Sequence, residues 1–219
     1  MTIRVITPSV RSRRNKLRDQ LQTAGLSMAD AHQRVYDAYP VALELLDAGF
    51  EIIDEVRQAP RQDRVDAFMA EPLLVEFFGE ATRVRHVNNV HRRLEGLRDR
   101  VERGFTVALK PDGKKTPLAQ TTGALNTTRV RFRLYTRGIR LDIWDLAALI
   151  NHEIGHQWFK DQKLGTEPVY GTQAARDLAR YHPRRARKST ENYEQFCSAA
   201  HIAEGLQSNR DDLEVFLAA

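Results

Sequence analysis

An α+β fold, mainly helical, with a small antiparallel β-sheet ahead of a late helix, is what this sequence predicts. Three observations carry the expectation. Apolar residues recur at three-four spacing through most of the first hundred positions, "FTVAL" and "RVRFRLY" then have β character, and helical spacing returns around "NHEIGHQW", residues 151–158.

Taken in order, Ser27 and Asp30 form a capping-box pattern ahead of an apolar series, and Leu43, Leu46, Phe50, Ile53 and Val56 follow at helical spacing. Pro40 starts a second helix there or kinks a long one, because proline is tolerated in a first turn and costly beyond it. After the short apolar stretch Leu73–Phe78, the residues Val84, Val87, His91, Leu94, Leu97 and Val101 repeat the spacing until Gly104 offers a stop. In "RVRFRLY", Val130, Phe132 and Leu134 alternate with Arg129, Arg131 and Arg133, the pattern of a half-buried strand. The intervening "KPDGKKTPLAQTTGALNTT" is rich in turn residues and reads as a surface loop. Residues 143–160 return to helix, with Ile150, Ile154 and Trp158 as the buried stripe and His152, Glu153 and His156 turned the other way. Further helices are expected at about 172–181 and 189–204, with a short one near the C-terminus. No internal repeat or low-complexity tract stands out.

Composition narrows the chemistry. With 219 residues and 42% apolar content, the chain has enough material for a proper core. Cys197 is its only cysteine, which excludes a disulfide framework and a multi-thiolate zinc site, so any metal must use histidine and carboxylate. Net charge is +5, with basic clusters at Arg11–Arg18 and Arg184–Lys188. Acidic residues are interspersed almost everywhere, so solvated faces are favoured over a nucleic-acid surface. The opening "MTIRVITPSVRSRRNKLR" lacks the apolar run of a signal peptide, and nothing approaches a membrane-spanning length. The expectation is a soluble product, cytoplasmic at synthesis, which would need a leaderless route to act outside.

The four-residue separation of His152 and His156 places both imidazoles on one helical face, where they can reach one ion. Zinc hydrolysis requires three protein ligands and an open position for water, and Glu153 lies on the same turn to take that water's proton. The HExxH letters arise by chance in about one chain per hundred, so their helical setting and the small Gly155 matter. Candidates for the third ligand are Glu167, Asp161, Asp177, Glu191 and Glu194. Asp161 follows the helix closely, Glu167 comes after the glycine-containing "KLGT", and Glu191 or Glu194 would come from a second helix. His86, His91, His182 and His201 have no ligand-like arrangement.

The downstream "GTEPVYGTQAARDLARYHPRRARKSTENYEQFCSA" resembles the aspzincin zinc endopeptidases, the deuterolysins and lysine-specific metalloendopeptidases. Their pattern is HExxH, then GTxDxxYG, then an alanine-rich helix and an NADSYxxF-like segment. Gly165, Thr166, Glu167, Tyr170 and Gly171 match the second part, and Tyr193 and Phe196 the last; "FFGEATRVRHVNNVHRRLEGL" from Phe77 is also similar. The resemblance spans about residues 72–202 and departs at two acids: Glu167 stands where the family has its third-ligand aspartate, one residue closer to Gly-Thr, and Glu191 where it has the aspartate of NADSY.

The resemblance implies a zincin-type fold, with residues 1–71 as an N-terminal helical lobe and residues 72–219 as the catalytic region, the two packed as one unit. It implies one Zn2+ on His152, His156 and Glu167, with Glu153 as base and a peptide or protein as substrate. Tyr170 would stabilise the oxyanion, its rival role being a buried anchor of the turn. Glu191 would accept a hydrogen bond from a ligand histidine, or be a solvated helical residue. Tyr193, Phe196 and Cys197 read as packing. The competing expectation is a non-catalytic zinc-binding scaffold, or a binder of nucleic acid or an acidic partner, on the same fold. The missing leader adds two biological expectations, an effector aimed at another cell or a narrow processing enzyme. Oligomeric state and cleavage preference are left open by the sequence.

Overall fold

In the computed structural model, residues 2–114, 116–121, 130–159 and 170–207 are described. In chain order the described elements are β1 (Arg4–Ile6), α1 (Arg11–Thr23), α2 (Met28–Gln58), α3 (Arg64–Ala70), α4 (Pro72–Phe78), α5 (Val84–Arg103), β2 (Phe105–Lys110), β3 (Ala119–Thr121), β4 (Val130–Tyr135), α6 (Thr136–Ile139), α7 (Ile143–Phe159), α8 (Thr172–Tyr181), α9 (Pro183–Ala186) and α10 (Thr190–Gln207). They fall into two units, Met1–Leu43 with Leu97–Lys160 and Glu44–Gly96 with Asp161–Ala219.

The first unit holds the sheet and the HExxH helix. Its opening long helix begins as the sequence demands: the Ser27 amide donates to Asp30 Oδ2 at 2.7 Å, and the Asp30 amide donates to Ser27 Oγ at 3.1 Å. Both are first-turn amides with no intrahelical partner. Pro40 lies inside α2, so the helix runs on through it. Gly104 ends α5 with φ +90, and a Cβ built there would lie 2.4 Å from the Thr2 carbonyl oxygen, so only glycine lets the chain turn into β2 beside the N-terminus.

Four strands lie in the order β1-β2-β4-β3. The mainly helical α+β class and the small sheet ahead of the HExxH helix are as expected, but the sheet is mixed rather than antiparallel. β2 pairs with β4 in parallel, from Phe105 opposite Val130 to Lys110 opposite Tyr135. β1 also joins β2 in parallel, and the β3–β4 pair alone is antiparallel. The cause lies in the connection read as a surface loop. It carries the chain past the slot beside β2 and lays down β3, and β4 then fills the gap running the same way as β2. Alternation in "RVRFRLY" survives intact: Val130, Phe132 and Leu134 are buried, while Arg131 and Arg133 are exposed. The buried faces of β2 and β4 meet in tilted ring contact between Phe105 and Phe132, centroids 5.7 Å apart, and Tyr39 of α2 closes on Phe105 at 6.1 Å.

The second unit is helical among its described residues. Phe77 and Phe78 of α4 pack on Tyr193 and Phe196 of α10, with Phe78 centroids 4.7 Å and 5.1 Å from the two partners. Tyr193, Phe196 and Cys197 are buried, as their spacing predicts. Asn192, fully buried, donates from Nδ2 to the Phe77 carbonyl at 2.7 Å and to the Ala175 carbonyl at 2.8 Å, so one side chain joins α4, α8 and α10. Arg187 works alike one residue further along α4, its Nη1 donating to the Phe78 carbonyl at 2.9 Å. The bonds to Phe77 and Phe78 satisfy carbonyls at the end of α4 that burial would otherwise strand.

Candidate active site

Local sequence starts α7 where it must start. Asp142 caps it: the Asp145 amide donates to Asp142 Oδ1 at 2.9 Å, and this backbone hydrogen bond is the main reason the Asp142 carboxyl is held below the usual carboxylate range. The helix packs against β3 and β4. Further along, Asn151 Nδ2 donates to the Ala42 carbonyl of α2 at 2.8 Å, a buried tie within the same unit. Trp158, expected in the buried stripe, is half-buried with the Arg100 guanidinium 3.6 Å from its ring centroid.

His152 and His156 lie side by side on α7, ring centroids 4.4 Å apart and planes at 86°. The expected opposition of an apolar stripe and a polar face is only half right. Ile150 and Ile154 are buried, but so are His152, Glu153 and His156, at 6%, 5% and 8% exposure. Imidazole pairs at this spacing, out of bulk water and beside a carboxylate, are donors that zinc accepts, so the residues present fit that ion. Glu153 has a partner the sequence did not suggest. The Thr121 hydroxyl of β3 lies 2.6 Å from Glu153 Oε2 and 2.6 Å from the Glu153 carbonyl oxygen. Thr121 sits in the stretch read as loop; its one signal is a β-favouring residue two positions after Ala119, on the same face of a strand.

Other expected site residues belong to the second unit. Glu167 and Asp161 lie outside the described residues. Tyr170 precedes α8 and is 63% exposed, so the rival reading as a buried anchor of the turn does not hold. Glu191 is buried on α10 and accepts the Gly171 amide on Oε1 at 2.6 Å, with Gln195 Nε2 donating to the same oxygen at 3.2 Å. It therefore ties the residue before α8 to α10, which excludes the solvated-glutamate alternative. Carboxylate oxygens of Glu191 and Glu194 lie within 4.8 Å of each other. Asp177 is instead engaged at the surface of α8 by Gln173, at 3.0 Å. His91 is a structural partner of Asp54 at 3.1 Å, and His86 Nδ1 accepts the Thr82 amide at 3.3 Å.

The chain has a mainly helical α+β fold with a small sheet. It is similar to a solved zinc peptidase from Grifola frondosa, with a TM-score of 0.58 and 18% identity over 78% of this chain and 95% of that one. No protein-family model matches the chain, and neither does any curated protein. At that identity the likeness establishes the fold, and the chemistry has to be argued from the residues. No helix among the described residues is long and apolar enough to cross a membrane.

Proposed function

We propose that this chain is a zinc-dependent endopeptidase of the aspzincin kind, cleaving peptide bonds in a peptide or protein substrate. The observation that carries the reading is the buried triplet on α7: two imidazoles 4.4 Å apart with a carboxylate on the same turn. A single zinc ion held by His152, His156 and one carboxylate supplies Lewis acidity that lowers the pKa of water and polarises a peptide carbonyl. Glu153 takes a proton from the attacking water at its carboxylate and returns it to the leaving amine. The Tyr170 hydroxyl donates to the oxyanion as charge develops there.

Glu167 is the proposed third ligand by its place in the GTEPVYG segment. Glu191 and Glu194 are the alternatives, because two carboxylates this close repel each other unless a cation or donors stand between them. With Glu167 as ligand, Glu191 is left to orient a ligand histidine as well as Gly171. Within the proposed enzyme, residues 1–71 form the N-terminal lobe and residues 72–219 the catalytic region.

A second reading has its own observation. On the first unit the Lys110 ammonium is held below its usual range by burial and then by Arg133 and Arg131 of β4 and Arg13 of α1, so four cations lie near one another. Such a cluster suits an acidic partner, and binding that weakens steeply with salt, without cleavage, would favour a scaffold over an enzyme.

Cleavage mapping by mass spectrometry on a denatured protein decides between them. Zinc-loaded wild type should cut and stop with chelator, while Glu153→Gln should keep its zinc and lose about 100-fold or more in rate. Equal cleavage by Glu153→Gln refutes the assignment of the base. Zinc content of Glu167→Gln and Glu191→Gln then separates the ligand sets.

A further inference from the structure

Glu153 has two carboxylate oxygens but only one can face the water it deprotonates, so something must set the rotation of the group. The first unit contains a candidate. Thr121 ends β3, opposite Phe132 of β4 in the antiparallel pair, and its side chain shares the face of Ala119, the face that packs on α7. Its Oγ1 stands 2.6 Å from Glu153 Oε2 and 2.6 Å from Glu153 O. Both contacts are at the short end for hydroxyl bonds, and both end on one residue. The single hydroxyl proton is shared between the carbonyl and the carboxylate of the same residue, so the strand engages the base at its side-chain oxygen Oε2.

We infer that Thr121 is a positioning residue for the proposed peptidase reaction: it engages Oε2 of Glu153 and thereby presents Oε1 as the oxygen that takes the proton. The inference rests on the proposed peptidase function and deepens it by assigning separate tasks to the two oxygens. The hydroxyl contributes in two ways. A buried carboxylate without a donor is costly, so the bond keeps Glu153 at 5% exposure in place of swinging toward water. A base held at one oxygen also needs no reorientation when substrate arrives. Thr121 touches neither substrate nor metal in this role and acts only through Glu153. The pairing joins a sheet strand to a helix, so the reacting carboxylate is referenced to two rigid elements rather than to a loop.

Two variants separate the hydroxyl from the shape of the residue: Thr121→Val keeps the volume and removes the donor, and Thr121→Ser keeps the donor. With zinc-loaded protein and a defined peptide, Thr121→Val should lower kcat by about 10- to 100-fold with KM within about twofold, and Thr121→Ser should stay within about threefold of wild type. Zinc content should not change in either. A second readout needs no metal. In apoprotein, the fall in melting midpoint caused by Thr121→Val should be smaller by about 2 °C or more in a Glu153→Ala background, because part of the threonine's contribution disappears with the carboxylate.

Wild-type kcat in Thr121→Val overturns the inference. So does a loss of kcat that Thr121→Ser shares, or a midpoint shift equal in the two backgrounds, since each places the effect of Thr121 somewhere other than on Glu153. A wild type that binds zinc and never cleaves removes the peptidase reading and this role with it, whereas a cleaving wild type beside an equally active Thr121→Val removes this role alone.

Discussion

Gly49 of α2 lies close against α10 in the second unit, and it sets up a quantitative test of how α10 is held. A Cβ built at Gly49 lies 2.7 Å from Cys197 Sγ, 3.2 Å from Phe196 Cε1 and 3.3 Å from Cys197 Cα. Ordinary carbon–sulfur contact is nearer 3.7 Å, an overlap of about 1 Å that the close-packed interior has no room to relieve. Overpacking of this size costs about 1–3 kcal/mol, and replacing a mid-helix glycine by alanine returns about 1 kcal/mol. The net expectation for Gly49→Ala is thus a loss of about 0–2 kcal/mol, or up to about 8 °C in melting midpoint for a chain of this length. Cys197→Ala removes the clashing sulfur. In that background Gly49→Ala should be neutral or stabilising, and thermal unfolding of the four proteins of the cycle reads the coupling directly. Equal losses in both backgrounds would show that α2 and α10 are not in contact through this pair. The buried thiol, pushed well up from its normal range by desolvation, should stay unmodified by alkylating reagents in native wild type.

Metal dependence and pH give two further expectations. At zinc a hundredfold over its dissociation constant the native state gains about 2.7 kcal/mol, which is about 5–11 °C at this chain length; His156→Ala should abolish the shift in a melting assay with and without chelator, and an undiminished shift would place the ion elsewhere. Asp142 titrates below the usual carboxylate range in the folded state because it caps α7, so its contribution is fully present above about pH 4 and lost as pH falls through the depressed value. Asp142→Asn should keep the cap and flatten the fall in melting midpoint between about pH 5 and pH 3, while Asp142→Ala should lose about 1 kcal/mol at neutral pH.

What the sequence could reveal of the fold follows the range of the interactions. The Ser27–Asp30 box, the stop at Gly104 and the alternation in "RVRFRLY" depend on residues within a turn or a strand of one another, and all three are present in the structure. Strand direction is different. Alternation says which residues of β2 and β4 face the core, and says nothing about whether their partners run with or against them. Parallel pairing here goes with the strand order, in which β4 and not β3 lies beside β2, and no periodic signature in the sequence marks that order. β1 was hidden for a related reason: three residues in a basic stretch are too short to show a period, and their strand character comes from pairing with β2.

The candidate site divides along the same line, and the division bears on function. His152, Glu153 and His156 are legible because one helical turn brings them together. Thr121 is not, since it lies 32 positions before Glu153 in a stretch that looks like a turn-rich loop. Burial adds what letters could not. Asn151, His152, Glu153, His156 and Gln157 are all buried on one helix that the sheet could have covered as well with leucine or valine. Each such group has to be matched by a partner before it stops costing stability. The Asn151–Ala42 and Thr121–Glu153 bonds supply such partners for Asn151 Nδ2 and the Glu153 carboxylate. A packing helix has no use for that outlay, and five departures from the apolar rule within two turns are what support the proposed chemistry on this helix.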